Sequence, residues 1–362
     1  MKVLVLLHDS YGAVGGIAKF NRDLLGALNR DSRVGEIIAL PRVAPSEEPP
    51  PLSKLRLQPL PVGGKIGYFA AAVAQHTKPR RADLIIAGHL RLLPAAFAAR
   101  SSRRPLWLIA HGIDVWTPQH PSIDRFMIHA ADRIIAVSAF TRDRMSAWAR
   151  LPSDRFRLLP NCVDLSQFTP GPPDPALLAR YGLKTRKVLM TLARLAERER
   201  YKGVDEVLEA LPRLIGERPD LAYLVVGDGP DRSRLENKAA TLGLNGRVVF
   251  TGSIPENEKV RHYRLADAFA MPGRGEGFGI VYLEALACGI PVVGSRIDGS
   301  RDALLGGRLG VLVDPREPED VLQGLRKALD TPKGVPADLA EFRRERFEER
   351  VSRLLDEVAE QG

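Results

Sequence analysis

The chain has 362 residues, 44% hydrophobic and 27% charged, an ordinary globular composition long enough for two domains. Its two cysteines, Cys162 and Cys288, lie far apart with no CxxC or zinc spacing, which argues against a disulfide framework and fits a reducing cytoplasm. The net charge of +9 is uneven: residues 1–183 carry 24 Lys and Arg against 14 Asp and Glu, and the remainder 29 against 30, so an anionic partner is expected on the first half. Aromatics at 6% and the lack of any recognition-helix, RRM or OB-like pattern speak against nucleic acid.

In chain order, the apolar run Val3–Leu7 is too short for a secretory h-region and reads as a first strand. A helix from Ile17 to Asn29 follows, then strands at 36–40, 83–88, 105–112 and 132–138, with helical patterns between the last three. Continuous apolar strands separated by helices imply a parallel sheet covered on both faces. The Pro-rich stretch Val163–Pro175 reads as an interdomain linker. A second alternation has strands at 187–193, 222–229, 247–252, 268–272, 291–295 and 310–315, with helices expected from Val204, Pro230, Glu256, about Phe278 and Pro318. Asp338–Glu360 reads as a charge-rich helical tail docked by Leu339, Phe342, Phe347, Val351 and Leu354. No stretch approaches the roughly 18 consecutive apolar residues of a membrane span. Two tandem doubly wound domains are therefore expected to face each other across a cleft, with ligands outside the strand C-termini.

Four stretches fall at those C-termini. Gly15 and Gly16 close the turn that opens the first helix, where a helix N-terminus favours an anion. His111 follows the 105–112 strand, but His8 and His89 end strands too, and position alone singles out none of them. Arg194 and Lys202 flank the loop after Thr191–Ala193, with Gly203 opening the next helix; such cations suit a pyrophosphate, although Glu197 to Arg200 look like a solvated charged loop. Last comes GRGEGFGIVYLEALACGIPVV, Gly273 to Val293, with Glu276 among glycines and Glu284 on the apolar face of a short helix. A carboxylate buried there needs a partner, either an Arg or a polar ligand such as a ribose diol.

Taken together, Arg194, Lys202-Gly203-Val204-Asp205, Gly227-Asp228-Gly229-Pro230 and the Glu-x7-Glu pattern from Glu276 to Glu284 resemble the retaining GT-B glycosyltransferases of the large group 1, family 4-like type. The similarity runs from the glycine loop to the C-terminal helix. It implies an α/β GT-B fold: an N-terminal Rossmann-like acceptor-side domain (1–165, plus a C-terminal helix of about 338–362 returning to it) and a C-terminal donor domain (166–337). It implies that Arg194 and Lys202 hold the diphosphate of a UDP- or GDP-sugar and Glu284 the ribose. Glu276 with the amides of Gly277, Phe278 and Gly279 would hold the sugar, Gly15 and Gly16 the phosphate, and His111 would lie near the anomeric carbon; Gly227 belongs to the donor-binding set.

The implied reaction is transfer of a hexose to a lipid-linked or saccharide acceptor with retention, in cell-envelope glycan synthesis. No Asp-x-Asp stands at a strand end, so neither a metal nor a further cofactor is expected. Two departures stand out: the Arg-to-Lys interval of eight residues exceeds the usual five or six, and Cys162 replaces a usual Gly. A sugar-nucleotide 2-epimerase and a two-domain small-molecule binder are the rival readings. Basic clusters at Lys54–Lys65, Lys78–Arg81 and Arg100–Arg104, with exposed-looking Leu52, Leu55, Leu57, Ile66, Tyr68 and Phe69, suggest a peripheral enzyme on the cytoplasmic face of an anionic membrane.

Overall fold

The computed structural model describes residues 1–12, 15–43, 50–59, 63–76, 81–101 and 104–359. Lys78 and Arg80 of one basic cluster, Arg103 of another, and residues 44–49 and 60–62 lie outside them. The chain divides into two compact units, Met1–Cys162 with Arg344–Gly362, and Val163–Arg343.

In the first unit, β1 (Lys2–Leu7), β2 (Glu36–Pro41), β3 (Leu55–Leu57), β4 (Leu84–Ala87), β5 (Leu106–Ala110), β6 (Arg133–Ala136) and β7 (Phe156–Leu158) form a parallel sheet in the order 3-2-1-4-5-6-7. β1 is buried along its whole length because helices cover both faces, which is why its sequence does not alternate. Two strands escaped the sequence reading. β3 and β7 have three residues each, half-buried at the sheet edges, too short for a periodic signal. Tyr68, expected exposed, is buried on the helix Gly64–His76 and donates its hydroxyl to the Leu40 carbonyl at 2.8 Å.

The second unit repeats the plan. β8 (Lys187–Leu192), β9 (Leu221–Val226), β10 (Val248–Gly252), β11 (Ala268–Ala270), β12 (Val292–Ser295) and β13 (Val311–Val313) run parallel in the order 10-9-8-11-12-13. In both sheets the strand order reverses beside the first strand, so β8 and β11 flank the switch point where a crevice opens. The helix Val204–Glu217 buries Val204, Val207, Leu208, Leu211 and Leu214 at three- and four-residue spacing. Gly203 precedes it at φ 87°, where a Cβ would stand 2.5 Å from the Pro272 carbonyl oxygen.

The tail is not one helix. A 3₁₀ segment, Ala337–Phe342, stays in the second unit; Arg343 is extended, and the helix Arg344–Ala359 returns to the first unit against the helix Gly16–Arg30. Phe347 packs edge-on against Phe20 at 5.6 Å.

Candidate functional site

In the second unit the loops after β8 and β11 bring charge together. Lys202 Nζ lies 3.3 Å from Glu276 Oε2 and 3.8 Å from Glu199 Oε2, while Arg194 places its Nη2 2.6 Å from Glu199 Oε1. Burial pulls the Lys202 ammonium down, but Glu276, Tyr201 and Glu199 more than offset this and hold its pKa above the ordinary lysine value. Arg194 keeps 62% of its side chain exposed, so its guanidinium has donors to spare for a ligand.

Glu199 is the group that sequence reasoning missed. The run ERERYK was expected to be solvated, yet Glu199 is only 6% exposed and spans both cations. It turns inward because the 3₁₀ segment Glu197–Lys202 kinks at Glu199 itself, and the next residue, Arg200, is anchored to Asp231 at 2.6 Å. The only signal was the long Arg194-to-Lys202 interval, whose extra residues make room for the inward turn.

The loop after β11 is pinned from two sides. Arg274 N–H donates to the Tyr201 carbonyl at 2.7 Å, the Glu276 N–H donates to the Asp298 carboxylate at 2.9 Å, and Gly299 N–H donates to the Glu276 carbonyl at 2.8 Å. A Cβ on Gly275 would meet the Tyr201 ring at 2.7 Å, and one on Gly299 the Gly277 carbonyl oxygen at 2.0 Å, so the glycines serve close backbone packing. Burial pushes the Asp298 carboxyl up to about 7. Phe278 is buried against Phe342, ring centroids 5.5 Å apart, so only its backbone is available to a ligand. Gly279 adopts φ 89° and caps the helix Ile280–Ala287.

That helix carries Glu284, 2% exposed. The sequence left an Arg or a polar ligand open as its partner; within the protein the structure supplies a tyrosine and a lysine. Tyr263 donates its hydroxyl to Oε2 at 2.8 Å, and Lys259 Nζ lies 3.6 Å from Oε1. Gly227 sits at φ 138° after β9, where a Cβ would fall 1.9 Å from the Ala193 carbonyl oxygen; its lack of a side chain lets two strand ends meet.

In the first unit, Gly15 at φ 127° precedes the helix Gly16–Arg30, both glycines are exposed, and no side chain caps that helix. His111 follows β5, its Nε2 2.9 Å from the Gly88 carbonyl oxygen and its ring edge-on to Phe20 at 5.1 Å. Burial lowers its pKa to about 4, so the ring is neutral at pH 7 and Nε2–H is the donor to Gly88. Nearby His89 Nε2 lies 3.6 Å from Asp114 Oδ2; burial takes His89 down to about 4 and Asp114 up to about 7, so the pair is largely uncharged below neutrality.

Comparison with known proteins fits this arrangement. Residues 14–167 match the Glycosyltransferase Family 4 profile and residues 178–346 that of Glycosyl transferases group 1. A GDP-mannose-dependent α-(1-6)-phosphatidylinositol monomannoside mannosyltransferase of Mycolicibacterium smegmatis is 38% identical over 251 residues, 66% of this chain and 65% of that protein. The chain thus spans just under two thirds of that relative's length. The structure of Anabaena Alr3699/HepE in complex with UDP and glucose superposes with a TM-score of 0.76 at 21% identity, over 98% of this chain and 99% of that one, in keeping with a GT-B fold. A D-inositol 3-phosphate glycosyltransferase of Catenulispora acidiphila is 34% identical over 294 residues, 75% of this chain and 69% of that protein, and with both halves of the sequence matched, the chain belongs to the family 4-like, group 1 glycosyltransferases.

Proposed function

We propose that the protein transfers a hexose from a UDP- or GDP-sugar to a lipid-linked or saccharide acceptor of the cell envelope, with retention of anomeric configuration and without a metal or further cofactor. The observation that carries this reading is the Arg194–Lys202–Glu276 cluster at the switch point of the second sheet. Group transfer needs the departing diphosphate stabilised as its charge grows, and two fixed cations supply that without rearrangement. Glu276, beside Lys202, is assigned to the donor sugar with the backbone of Gly277 to Gly279. Glu284 is assigned to the ribose, whose hydroxyls an ionised carboxylate is suited to accept. His111, neutral and tethered to Gly88, is assigned to the anomeric region, and Gly15 and Gly16 to the phosphate.

A lipid-borne acceptor is supported by the phosphatidylinositol mannosyltransferase among the relatives. No helix of the described residues is long and apolar enough to cross a membrane, and a peripheral position on the cytoplasmic face is the matching proposal. Calorimetric titration with UDP, GDP and ADP, followed by incubation of the binding nucleotide's sugars with membrane lipid extract and NMR of the product anomer, tests the reading. Transfer with the donor's anomeric configuration is expected; failure of all three nucleotides to bind would sink it, and an inverted product would remove the retaining assignment.

A further inference from the structure

Five carboxylates are buried among the described residues: Glu199, Glu206, Asp231, Glu284 and Asp298. Four of them meet a cation. Glu199 lies against Arg194 and Lys202, Glu206 against Arg274, Asp231 against Arg200 and Arg234, and Glu284 against Lys259. Asp298 is the exception: its exposure is 0%, no cation among the described residues pairs with it, and the charge that acts on it is the like charge of Glu276. A carboxylate buried in that way is costly, and hydrogen bonds alone hold it in place.

Those bonds lead to the loop after β11. Asp298 Oδ2 accepts the Glu276 N–H at 2.9 Å, and Oδ1 accepts the Ser300 N–H at 2.9 Å. The Ser300 side chain adds a further hydrogen bond to the carboxylate. Ser300 Oγ also lies 2.9 Å from the Tyr282 hydroxyl, which donates to the Met271 carbonyl at 2.7 Å. The next residue completes the grip, since Gly299 N–H donates to the Glu276 carbonyl at 2.8 Å. Both main-chain groups of Glu276 are thus fixed by consecutive residues after β12, while its side chain reaches Lys202 Nζ at 3.3 Å. An alanine at 298 would leave the Glu276 N–H without its acceptor. An amide would satisfy one of the two N–H groups and turn a donor towards the other. Only an ionised carboxylate accepts at both oxygens.

We propose that Asp298 is a positioning residue for donor recognition: through the Glu276 main chain it aims the Glu276 carboxylate at the sugar of the nucleotide-sugar. With no exposed surface, it acts without touching the ligand. The inference rests on the assignment of Glu276 to the donor sugar.

Calorimetric titration of the full chain with UDP-glucose, GDP-mannose, UDP and GDP tests it, beside a thermal melt. Asp298→Asn is expected to weaken sugar-nucleotide binding roughly tenfold or more, as for a lost hydrogen bond to a charged group, while free UDP and GDP bind as they do to the parent. A second arm uses the parent itself. Burial holds Asp298 at about 7, so one of its oxygens gains a proton below neutrality, and parental affinity for the sugar nucleotide is expected to fall as pH drops from 8 to 6. Asn resembles the protonated carboxyl, so its affinity should stay flat over that range, and Glu276→Gln should lose most of the slope. Around Asp298 stand Glu276, Tyr282 and, beyond Glu276, Lys202; the Tyr282 hydroxyl is held far above neutrality and Lys202 above the ordinary lysine value, so neither changes charge there. Asp114, also at about 7, belongs to the first unit, and a slope it caused would persist in both variants. An Asn variant with parental affinity for the sugar nucleotide, equal losses for sugar nucleotide and free nucleotide, or a parental pH slope in both variants would each overturn the role of Asp298 and leave the transferase reading standing. A parent that binds none of the four ligands removes the donor reading itself, and this assignment with it.

Discussion

Replacing Glu199 by Gln is the most direct probe of the cation cluster. The change keeps an oxygen for Arg194, now 2.6 Å from Oε1, and removes one negative charge from a group of four whose formal charges cancel: Arg194 and Lys202 against Glu199 and Glu276. A diphosphate held by both cations would lie within roughly 6 Å of the Glu199 carboxylate. At an effective dielectric of about 20 that repulsion is about 3 kcal/mol per unit charge. Arg194 is 62% exposed, so solvent screening reduces it to about 1 kcal/mol. Glu199→Gln should therefore bind UDP or GDP about fivefold more tightly, with the gain shrinking as salt rises. Calorimetric titration at two ionic strengths reads this directly, beside a thermal melt to verify the fold. Unchanged or weaker nucleotide binding with an unshifted melt would refute the reasoning and leave Glu199 as a group that orients Arg194.

Lys202→Ala and Arg194→Ala should each lose roughly 100- to 1,000-fold in turnover with little change in melting temperature, because they act on charge that grows in the transition state; near-normal turnover would remove the residue from the mechanism. Glu284→Gln should weaken UDP and GDP-sugar binding alike and also lower stability by about 1–3 kcal/mol, since buried Tyr263 and half-buried Lys259 both lean on that carboxylate; a variant as stable as the parent contradicts the packing described. The pH dependence of the first unit follows from three half-buried groups. His89 and His111, held at about 4, refuse protons that the unfolded chain takes up below about 6.5, so stability should fall as pH drops from about 6.5 towards 4. Asp114, raised to about 7, keeps a proton that the unfolded chain gives up and opposes this, so Asp114→Asn should steepen the acid loss. All three tryptophans, Trp107, Trp116 and Trp148, belong to this unit, so fluorescence-detected denaturation at pH 6.5 and 4.5 reports it alone; equal slopes in parent and variant would discount Asp114.

Most of the architecture was legible before any coordinates. Strands buried on both faces must be continuously apolar, and helices that cover them must repeat at three and four residues, so both doubly wound units announce themselves in local pattern. The Arg194, Lys202, Glu276 and Glu284 positions were visible too, because charge at a strand end or on an apolar helix face has to be accounted for. What local pattern cannot carry is which charge meets which. Glu199 looked solvated because neighbouring charges usually are, and only the kink at that residue and the Arg200–Asp231 anchor turn it inward. The partners of Glu284 come from a helix about twenty residues earlier, and no spacing rule joins Lys259 or Tyr263 to it. The tail read as one helix because its apolar residues recur every three to five positions with no Gly or Pro between them, yet extended backbone at Arg343 sends its two parts to different units. The same holds for the cavity of about 540 Å³ in the first unit: Arg42, Tyr68, His89, Asp114 and Met127 line it from segments far apart in the sequence, and only their packing brings them together.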